Sequence, residues 1–113
     1  MILVCGEALI DLFVGPPEGA EMPTRAVAGG SPFNVAIGLA RLGARSTCFG
    51  GISRDRFGML LADILEREGV DTRFLLRTDR LSTLSAVATA PDGQPRYSFH
   101  GEQRGAVGRD RQI

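Results

Sequence analysis

The sequence has no net charge and no long apolar run. Its 113 residues balance 13 Lys and Arg against 13 Asp and Glu, so no global charge steers the chain towards nucleic acid or a membrane surface. No stretch approaches the ~20 apolar residues needed to cross a bilayer. Residues 1–5 lack the basic lead and long apolar run of a signal peptide. These absences predict a cytoplasmic protein that binds neither nucleic acid nor membrane.

Cysteine and histidine are also scarce. Cys5 and Cys48 are the two cysteines, and both fall inside predicted strands. This favours two buried thiols in a reducing compartment over a disulfide. His100 is the only histidine, and nothing near it offers the spacing of metal ligands. We therefore predict a surface role for His100 and no metal site.

Two common nucleotide-binding motifs are missing. The chain has no Gly-x-x-x-x-Gly-Lys-Ser/Thr loop, and the first predicted strand is not followed directly by Gly-x-Gly-x-x-Gly. What the chain does have is enough apolar content, 43%, for one small domain with one core. Its function must therefore be sought in other motifs.

Residues 28–43 predict a tight glycine turn that opens a buried helix. Ser31 is suited to be the N-cap, and Pro32 would then occupy the first helical position, where its missing N–H costs nothing. Gly43 predicts the end of the helix, with a positive φ. The helix is apolar on nearly every face, so we expect it to be covered all round.

The N-terminus of this helix, called here the helix mouth, is a candidate binding site. Gly29 and Gly30 place bare backbone there, and the N–H groups of a helix N-terminus carry a partial positive charge. Asn34 is the only polar side chain on the early turns. Its amide can donate to and accept from a pair of hydroxyls, or it can cap the turn begun by Ser31.

The rest of the first half alternates between strands and helices. Strands are predicted at residues 2–6, fully buried as at the centre of a parallel sheet, at residues 46–50 and around residues 73–77. Residues 14–25 predict an irregular segment because of their turn residues. This β–α–β–α order predicts an α/β fold with a parallel sheet and right-handed crossovers.

A second helix lies between the second and third predicted strands. Asp55 or Ser53 is expected to cap it, and Gly69 to end it. Asp63 and its neighbour four residues on, Arg67, predict an ion pair on the solvent side. The stripe expected to face the sheet consists of Phe57, Leu60, Leu61, Ile64 and Leu65.

From Ser82 onwards the apolar period changes to about two. Residues 84–90 and 96–100 flank a Pro-Asp-Gly turn at residues 91–95, which predicts a β-hairpin. Phe99 lies in the second of these strands. It is either an ordinary cross-strand aromatic or a ring that packs against a ligand.

Three stretches of the chain resemble one known family. The first signature of the ribokinase-like (PfkB) carbohydrate kinases is similar to residues 29–36 together with Leu42 and Gly43. Within that family, the sequence of this stretch is most similar to the fructokinase branch. Residues 6–11 and 50–58 resemble two further family stretches, in the family's order. The resemblance covers about residues 1–102. It implies a partial Rossmann-like parallel sheet with flanking helices and a β-hairpin lid.

The resemblance implies transfer of a phosphoryl group from ATP, with Mg²⁺, to a small sugar. Fructose is the first expectation, with ribose and 2-keto-3-deoxygluconate as alternatives. The positions matching the family's sugar contacts are Asp11, Gly29, Gly30 and Asn34, with Phe99 packing on the apolar side of the sugar. The residues alone favour a turn or capping role for Asp11, and it is the resemblance that favours the sugar contact.

The family's catalytic base and anion hole lie on a Gly-Ala-Gly-Asp stretch, which this sequence lacks. The resemblance thus implies that the chain holds the sugar-binding half, contains no catalytic residue and lacks most ATP and Mg²⁺ ligands. We expect it to be inactive alone, with residues 103–113 a disordered or truncated tail. The alternatives are a non-catalytic sugar-binding module and an interaction module that forms homodimers through its lid strands.

Overall fold

The computed structural model describes residues 1–101, which form two β-sheets and two helices around a shared core. In chain order the elements are β1 (Ile2–Cys5), β2 (Leu9–Val14), β3 (Thr24–Gly29), α1 (Ser31–Arg41), β4 (Ser46–Ser53), α2 (Arg56–Arg67), β5 (Leu75–Thr78), β6 (Leu84–Thr89) and β7 (Pro95–His100). The expectation for residues 103–113 lies outside the described part of the chain.

The first sheet, called here the parallel sheet, has the order β1-β4-β5, and both of its pairings are parallel. This confirms the α/β class predicted from the alternation of strands and helices. The expectation of a fully buried central β1 was wrong, because β4 occupies the centre and β1 lies at an edge of the described sheet. Only Val4 of β1 is partly buried, since strand order depends on distant neighbours rather than on local sequence.

The two cysteines differ in exposure. Cys48 of β4 is buried, whereas Cys5 of β1 is exposed. Val4 pairs with Cys48 and packs with it against the core, and successive side chains of a strand point to opposite faces. Cys5 therefore lies on the face turned away from that core, so the prediction of two buried thiols was wrong for Cys5.

Helix α1 starts one residue earlier than predicted. Its N-cap is Gly30, with φ 105°, and Ser31 is already the first helical residue; Ser31 was therefore wrongly predicted as the cap. Gly43 follows the helix with φ 88°, which confirms the predicted stop. Among the described residues α1 is not covered all round, because only Phe33 and Ala36 are buried in it.

Helix α2 is capped by Asp55, whose carboxylate accepts a hydrogen bond of 2.8 Å from the backbone N–H of Gly58. The Asp63–Arg67 ion pair is present at 3.2 Å, and Gly69 follows the helix with φ 85°. Of the residues described, neither helix has the length and apolar character to span a membrane.

The buried face of α2 is rotated from the predicted stripe. Phe57 and Leu60 are 37% and 45% exposed, because the helix packs closely at Gly58 instead, and that approach turns the neighbouring positions outwards. The residues that α2 buries are Gly58, Leu61, Ala62 and Leu65.

The second sheet, called here the mixed sheet, has the order β3-β2-β6-β7. Strand β2 pairs antiparallel with β3 and parallel with β6. Strands β6 and β7 form the predicted hairpin, with Gly93 at φ 83° in its turn. Irregular structure was predicted for residues 14–25 and is found only between β2 and β3. At its ends, Val14 belongs to β2, and Thr24 and Arg25 belong to β3.

The core joins the two sheets through one cluster of side chains. Ile10 of the mixed sheet, 1% exposed, belongs to the same cluster as Ile52 of the parallel sheet and Phe33 of α1. Because alternate residues of a strand face opposite sides, burial of Ile10 orients Asp11 to the other face of the mixed sheet. The core thus sets the direction in which the Asp11 carboxylate points.

Candidate functional site

Asp11 lies in the middle of β2, half-buried, on the face of the mixed sheet that points away from the core. It pairs with Val27 of β3 on one side and with Ser85 of β6 on the other. Ser85 pairs in turn with Phe99 of β7. These four residues form one row across the sheet, so Asp11 and Phe99 share a face at a distance of about two strand spacings, roughly 10 Å.

Gly29 makes the closest approach to the Asp11 carboxylate. A Cβ atom placed on Gly29 would lie 2.6 Å from Oδ2 of Asp11, closer than real Cβ contacts allow. Gly29 is itself buried and is the last residue of β3. The missing side chain therefore makes room for the carboxylate at the point where β3 leads into α1.

Gly30 turns the chain from β3 into α1. Its φ of 105° is in a region that favours glycine, and a Cβ atom there would lie 2.9 Å from the carbonyl oxygen of Glu7. The first turn of α1 contains no acidic residue, and the cap has no side chain. Within residues 1–101 no side chain caps these N–H groups, so this helix end can donate to an acceptor on a ligand.

Asn34 lies one turn into α1 and is exposed. Its backbone N–H donates to the carbonyl oxygen of Gly30 at 2.9 Å. A helical side chain lies over the turn that precedes its own Cα, which directs the Asn34 amide towards the helix mouth. No side-chain hydrogen bond caps α1 in the described part of the chain, so the capping role considered for Asn34 is not observed.

A second row of side chains lies beside the Asp11 row. Phe13 pairs with Arg25 of β3 and Val87 of β6, and Val87 pairs with Tyr97 of β7. The guanidinium carbon of Arg25 lies 5.1 Å from the centroid of the Phe13 ring, a cation–π geometry. The face that carries Asp11 is therefore rich in exposed aromatic surface.

Ser85 was missed by the sequence analysis. It is 3% exposed and pairs directly with Asp11. The period-two pattern of residues 84–90 predicted its strand but not its partner. Ser85 pairs with a residue of β2, and β2 was not predicted as a strand. The sequence of residues 6–14 does not indicate a strand, because Asp11 interrupts their apolar run.

The described residues contain no metal centre. Within residues 1–101, no group of three His, Cys, Asp or Glu side chains is placed to hold a metal ion. His100 is exposed, as predicted, and its Nε2 lies 2.9 Å from Oγ of Ser98. Within this part of the chain, no side-chain cluster is therefore assigned to Mg²⁺.

Comparison with known proteins gives consistent results. The model of the pfkB family carbohydrate kinases matches residues 1–109. Fructokinase from Rhizobium leguminosarum bv. trifolii is 40% identical over 109 residues, which is 96% of this chain and 32% of that protein.

Two crystal structures of fructokinase from Xylella fastidiosa share the fold. One superposes with a TM-score of 0.81 at 36% identity, covering 88% of this chain and 31% of that one. The other, solved with bound ATP, superposes with a TM-score of 0.80 at 37% identity, covering 88% and 32%. The present chain spans about a third of the length of these relatives. Its fold is accordingly ribokinase-like in part, and the chain belongs to the pfkB family of carbohydrate kinases.

Proposed function

We propose that residues 1–102 form the sugar-binding part of a fructokinase-like carbohydrate kinase. The observation that carries this proposal is the approach of the Asp11 carboxylate to Gly29 at the mouth of α1. It combines an acceptor-only side chain, bare backbone and helix N–H donors in one place. Neighbouring sugar hydroxyls, each of which can donate and accept, match that combination.

Each proposed contact has a separate chemical task. Asp11 accepts hydrogen bonds from two hydroxyls, and charge-assisted bonds of this kind are among the stronger ones. Gly29 and Gly30 let the sugar approach the backbone without meeting a side chain. Asn34 donates to one oxygen and accepts from another, while Phe99 packs against the C–H side of the ring.

The complete reaction would transfer a phosphoryl group from ATP to the sugar. A related fructokinase has been crystallised with ATP, which supports ATP as the donor. Catalysis of such a transfer depends on positioning both reactants and stabilising charge, and positioning alone can contribute ~7–11 kcal/mol. The given 113 residues contain no Gly-Ala-Gly-Asp stretch, on which the family's catalytic base lies, and we propose that these residues alone bind sugar but do not phosphorylate it.

Calorimetry on the purified chain tests this proposal. We expect fructose to bind more tightly than ribose or 2-keto-3-deoxygluconate, and Asp11→Asn to weaken fructose binding at least tenfold. Asp63→Asn, which removes an exposed carboxylate from α2, is the matched control and leaves binding unchanged. Unaltered affinity in Asp11→Asn would contradict the sugar assignment, and ADP release with any of these sugars would contradict the inactivity of the isolated chain.

A homodimer through the mixed sheet is a second candidate function. All six residues of β7 are exposed, and β7 is an edge strand with free pairing capacity in the described sheet. Exposed edges of this kind pair readily with another chain. Sizing chromatography across a concentration series would show a dimer, whereas a monomer at every concentration would exclude this role.

A further inference from the structure

Asp55 uses both of its carboxylate oxygens to join two distant parts of the chain. Oδ1 accepts the backbone N–H of Gly58 at 2.8 Å, the bond that caps α2. Oδ1 also accepts the hydroxyl of Ser82 at 2.7 Å, and Oδ2 accepts the backbone N–H of Ser82 at 2.8 Å. A cap needs only the first of these bonds, so the two bonds to Ser82 call for a separate explanation.

Ser82 stands where the chain leaves the parallel sheet for the mixed sheet. It lies between β5 and β6, two residues before β6 begins. The next residue, Thr83, accepts the backbone N–H of Ile10 at 3.1 Å, which ties β6 to β2. Three residues beyond Ser82, Ser85 pairs with Asp11. The position of Ser82 therefore sets the position of Ser85 beside the candidate site.

Further contacts hold the loop after β4 against the same connection. The backbone N–H of Arg54 donates to Thr78 at 2.8 Å, and its guanidinium contacts Asp79 at 2.7 Å. On the other side, a Cβ atom on Gly101 would lie 2.9 Å from the carbonyl oxygen of Ser82. The connection is thus enclosed between the start of α2 and the end of β7.

Gly58 explains why α2 can begin so close to β4. A Cβ atom on Gly58 would overlap the carbonyl oxygen of Ser53, so only glycine permits this approach. Ser53 is buried, and its hydroxyl accepts the backbone N–H of Asp55 at 3.0 Å. Ser53, Asp55 and Gly58 therefore act together to aim the carboxylate at Ser82.

We propose that Asp55 is a positioning residue that latches the β5–β6 connection onto the start of α2 and so holds Ser85 next to Asp11. The latch itself stands on the geometry alone. Its effect on sugar affinity rests on the proposed function. A small cleft where the two sheets meet, lined in part by Glu7, Ser53, Thr78 and Ser82, is the space that would change shape if the latch opened.

The pKa of Asp55 is consistent with this role. Burial raises it, but the hydrogen bonds from the amide and hydroxyl of Ser82, from Gly58 and from Ser53 outweigh burial and lower the pKa. The largest of the lowering contributions come from Ser82 rather than from the capped helix. The charged carboxylate is therefore held chiefly by the connection between the sheets.

Hydrogen exchange of backbone amides in the full chain separates a latch from a simple helix cap. In Ser82→Ala we expect the Ile10 amide and the amides of β6 to exchange about tenfold faster, because a bond to a charged acceptor is lost. The first turn of α2 and the centre of β4 should keep their wild-type rates. Ser82→Thr, which restores the hydroxyl, should restore slow exchange in β6.

Two companion variants complete the test. Asp55→Asn should accelerate exchange in both α2 and β6, and the control Asp63→Asn in neither. The latch is overturned if Ser82→Ala leaves Ile10 and β6 at wild-type rates, if all amides including β4 accelerate equally, or if Asp55→Asn affects α2 alone.

Fructose calorimetry on the same variants tests the link to the proposed function. Ser82→Ala should weaken fructose binding severalfold, and Ser82→Thr should restore it. If the wild-type chain fails to bind fructose, the proposed function is wrong, while the exchange rates still decide the latch. If the wild type binds and Ser82→Ala binds equally well, the latch does not position the site.

Discussion

Oδ2 of Asp11 lies 2.6 Å from the point that a Cβ atom on Gly29 would occupy. This close approach brings the middle of β2 to the end of the neighbouring strand β3, at the start of α1. A carboxylate cannot share that space with even a methyl group. The geometry of the candidate site therefore depends on the absence of a side chain at residue 29.

Gly29→Ala should weaken fructose binding about tenfold while costing no more than ~1.5 kcal/mol of stability. The atom that must move is the end of the Asp11 side chain rather than backbone, so the fold accommodates the methyl group by turning the carboxylate away. Calorimetry with fructose and urea unfolding measure the two effects. Gly38→Ala is the control, because nothing lies within 4 Å of its Cβ position in α1, and it should be neutral or stabilising by ~0.5–1 kcal/mol. Equal affinities for both variants would contradict the expectation.

Two adjacent leucines test the orientation of α2. Leu61 is 2% exposed, whereas Leu60 is 45% exposed. Leu61→Ala should destabilise the chain by ~2–5 kcal/mol, the usual cost of truncating a buried leucine. Leu60→Ala should cost less than ~1 kcal/mol. Urea midpoints measure the difference, and equal losses would mean that the helix packs through the stripe expected from sequence.

The lowered pKa of Asp55 leads us to expect that the folded chain loses stability in acid. Burial raises its pKa, but hydrogen bonds, chiefly from Ser82, hold it below the ordinary value of 3.8. A carboxylate with a lowered folded-state pKa stabilises the fold above its unfolded pKa and loses that contribution as pH falls through the folded value. Asp55→Asn should therefore be less stable than wild type at pH 7, with a gap that narrows below about pH 4. Urea unfolding across this range measures the gap, and a constant gap would assign the effect to shape rather than charge.

The two thiols should differ in reactivity. Cys5 is exposed, whereas Cys48 is buried. The pKa of the Cys48 thiol is raised, mainly by burial and to a lesser extent by the nearby Cys5. Because the thiolate is the reactive form, a disulfide reagent should label Cys5 in a fast phase and Cys48 slowly. Cys5→Ser should remove the fast phase, and Cys48→Ser should retain it. Fast labelling of Cys48 in the folded chain would contradict the burial of β4.

Local patterns predicted those elements that carry their own signals. The Pro-Asp-Gly turn and the alternation around it predicted the β6–β7 hairpin, and Asp55 with Gly69 bounded α2. Strand β2 was not predicted, because Asp11 interrupts its apolar run. The residues that cover the strand lie far along the chain, so local sequence does not indicate them. The exposure of β1 was mispredicted for the same reason, since β4 rather than β1 takes the centre of the parallel sheet.

The candidate site shows the same division. The glycine turn and the helix that follows it marked Gly29, Gly30 and Asn34 as a candidate binding site. The family resemblance assigned these residues to sugar contacts together with Asp11 and Phe99. The fold puts two of the five, Asp11 and Gly29, in direct proximity. Ser85 and the second role of Asp55 had no local signal. Asp55 reads as a helix cap from sequence, and its bonds to Ser82 span 27 residues, a distance over which periodicity carries no information.

The parallel pairing of β2 with β6 has a consequence for how the chain folds during synthesis. Ile10 pairs with Leu84, and Val14 with Ala88, so most of the described chain separates the two central strands of the mixed sheet. Contacts between distant residues form late and slow the folding of a domain. The β2–β3 hairpin can form soon after it leaves the ribosome, but it must wait with one edge unpaired until β6 emerges. That interval is when the nascent chain is most exposed to pairing with a neighbour.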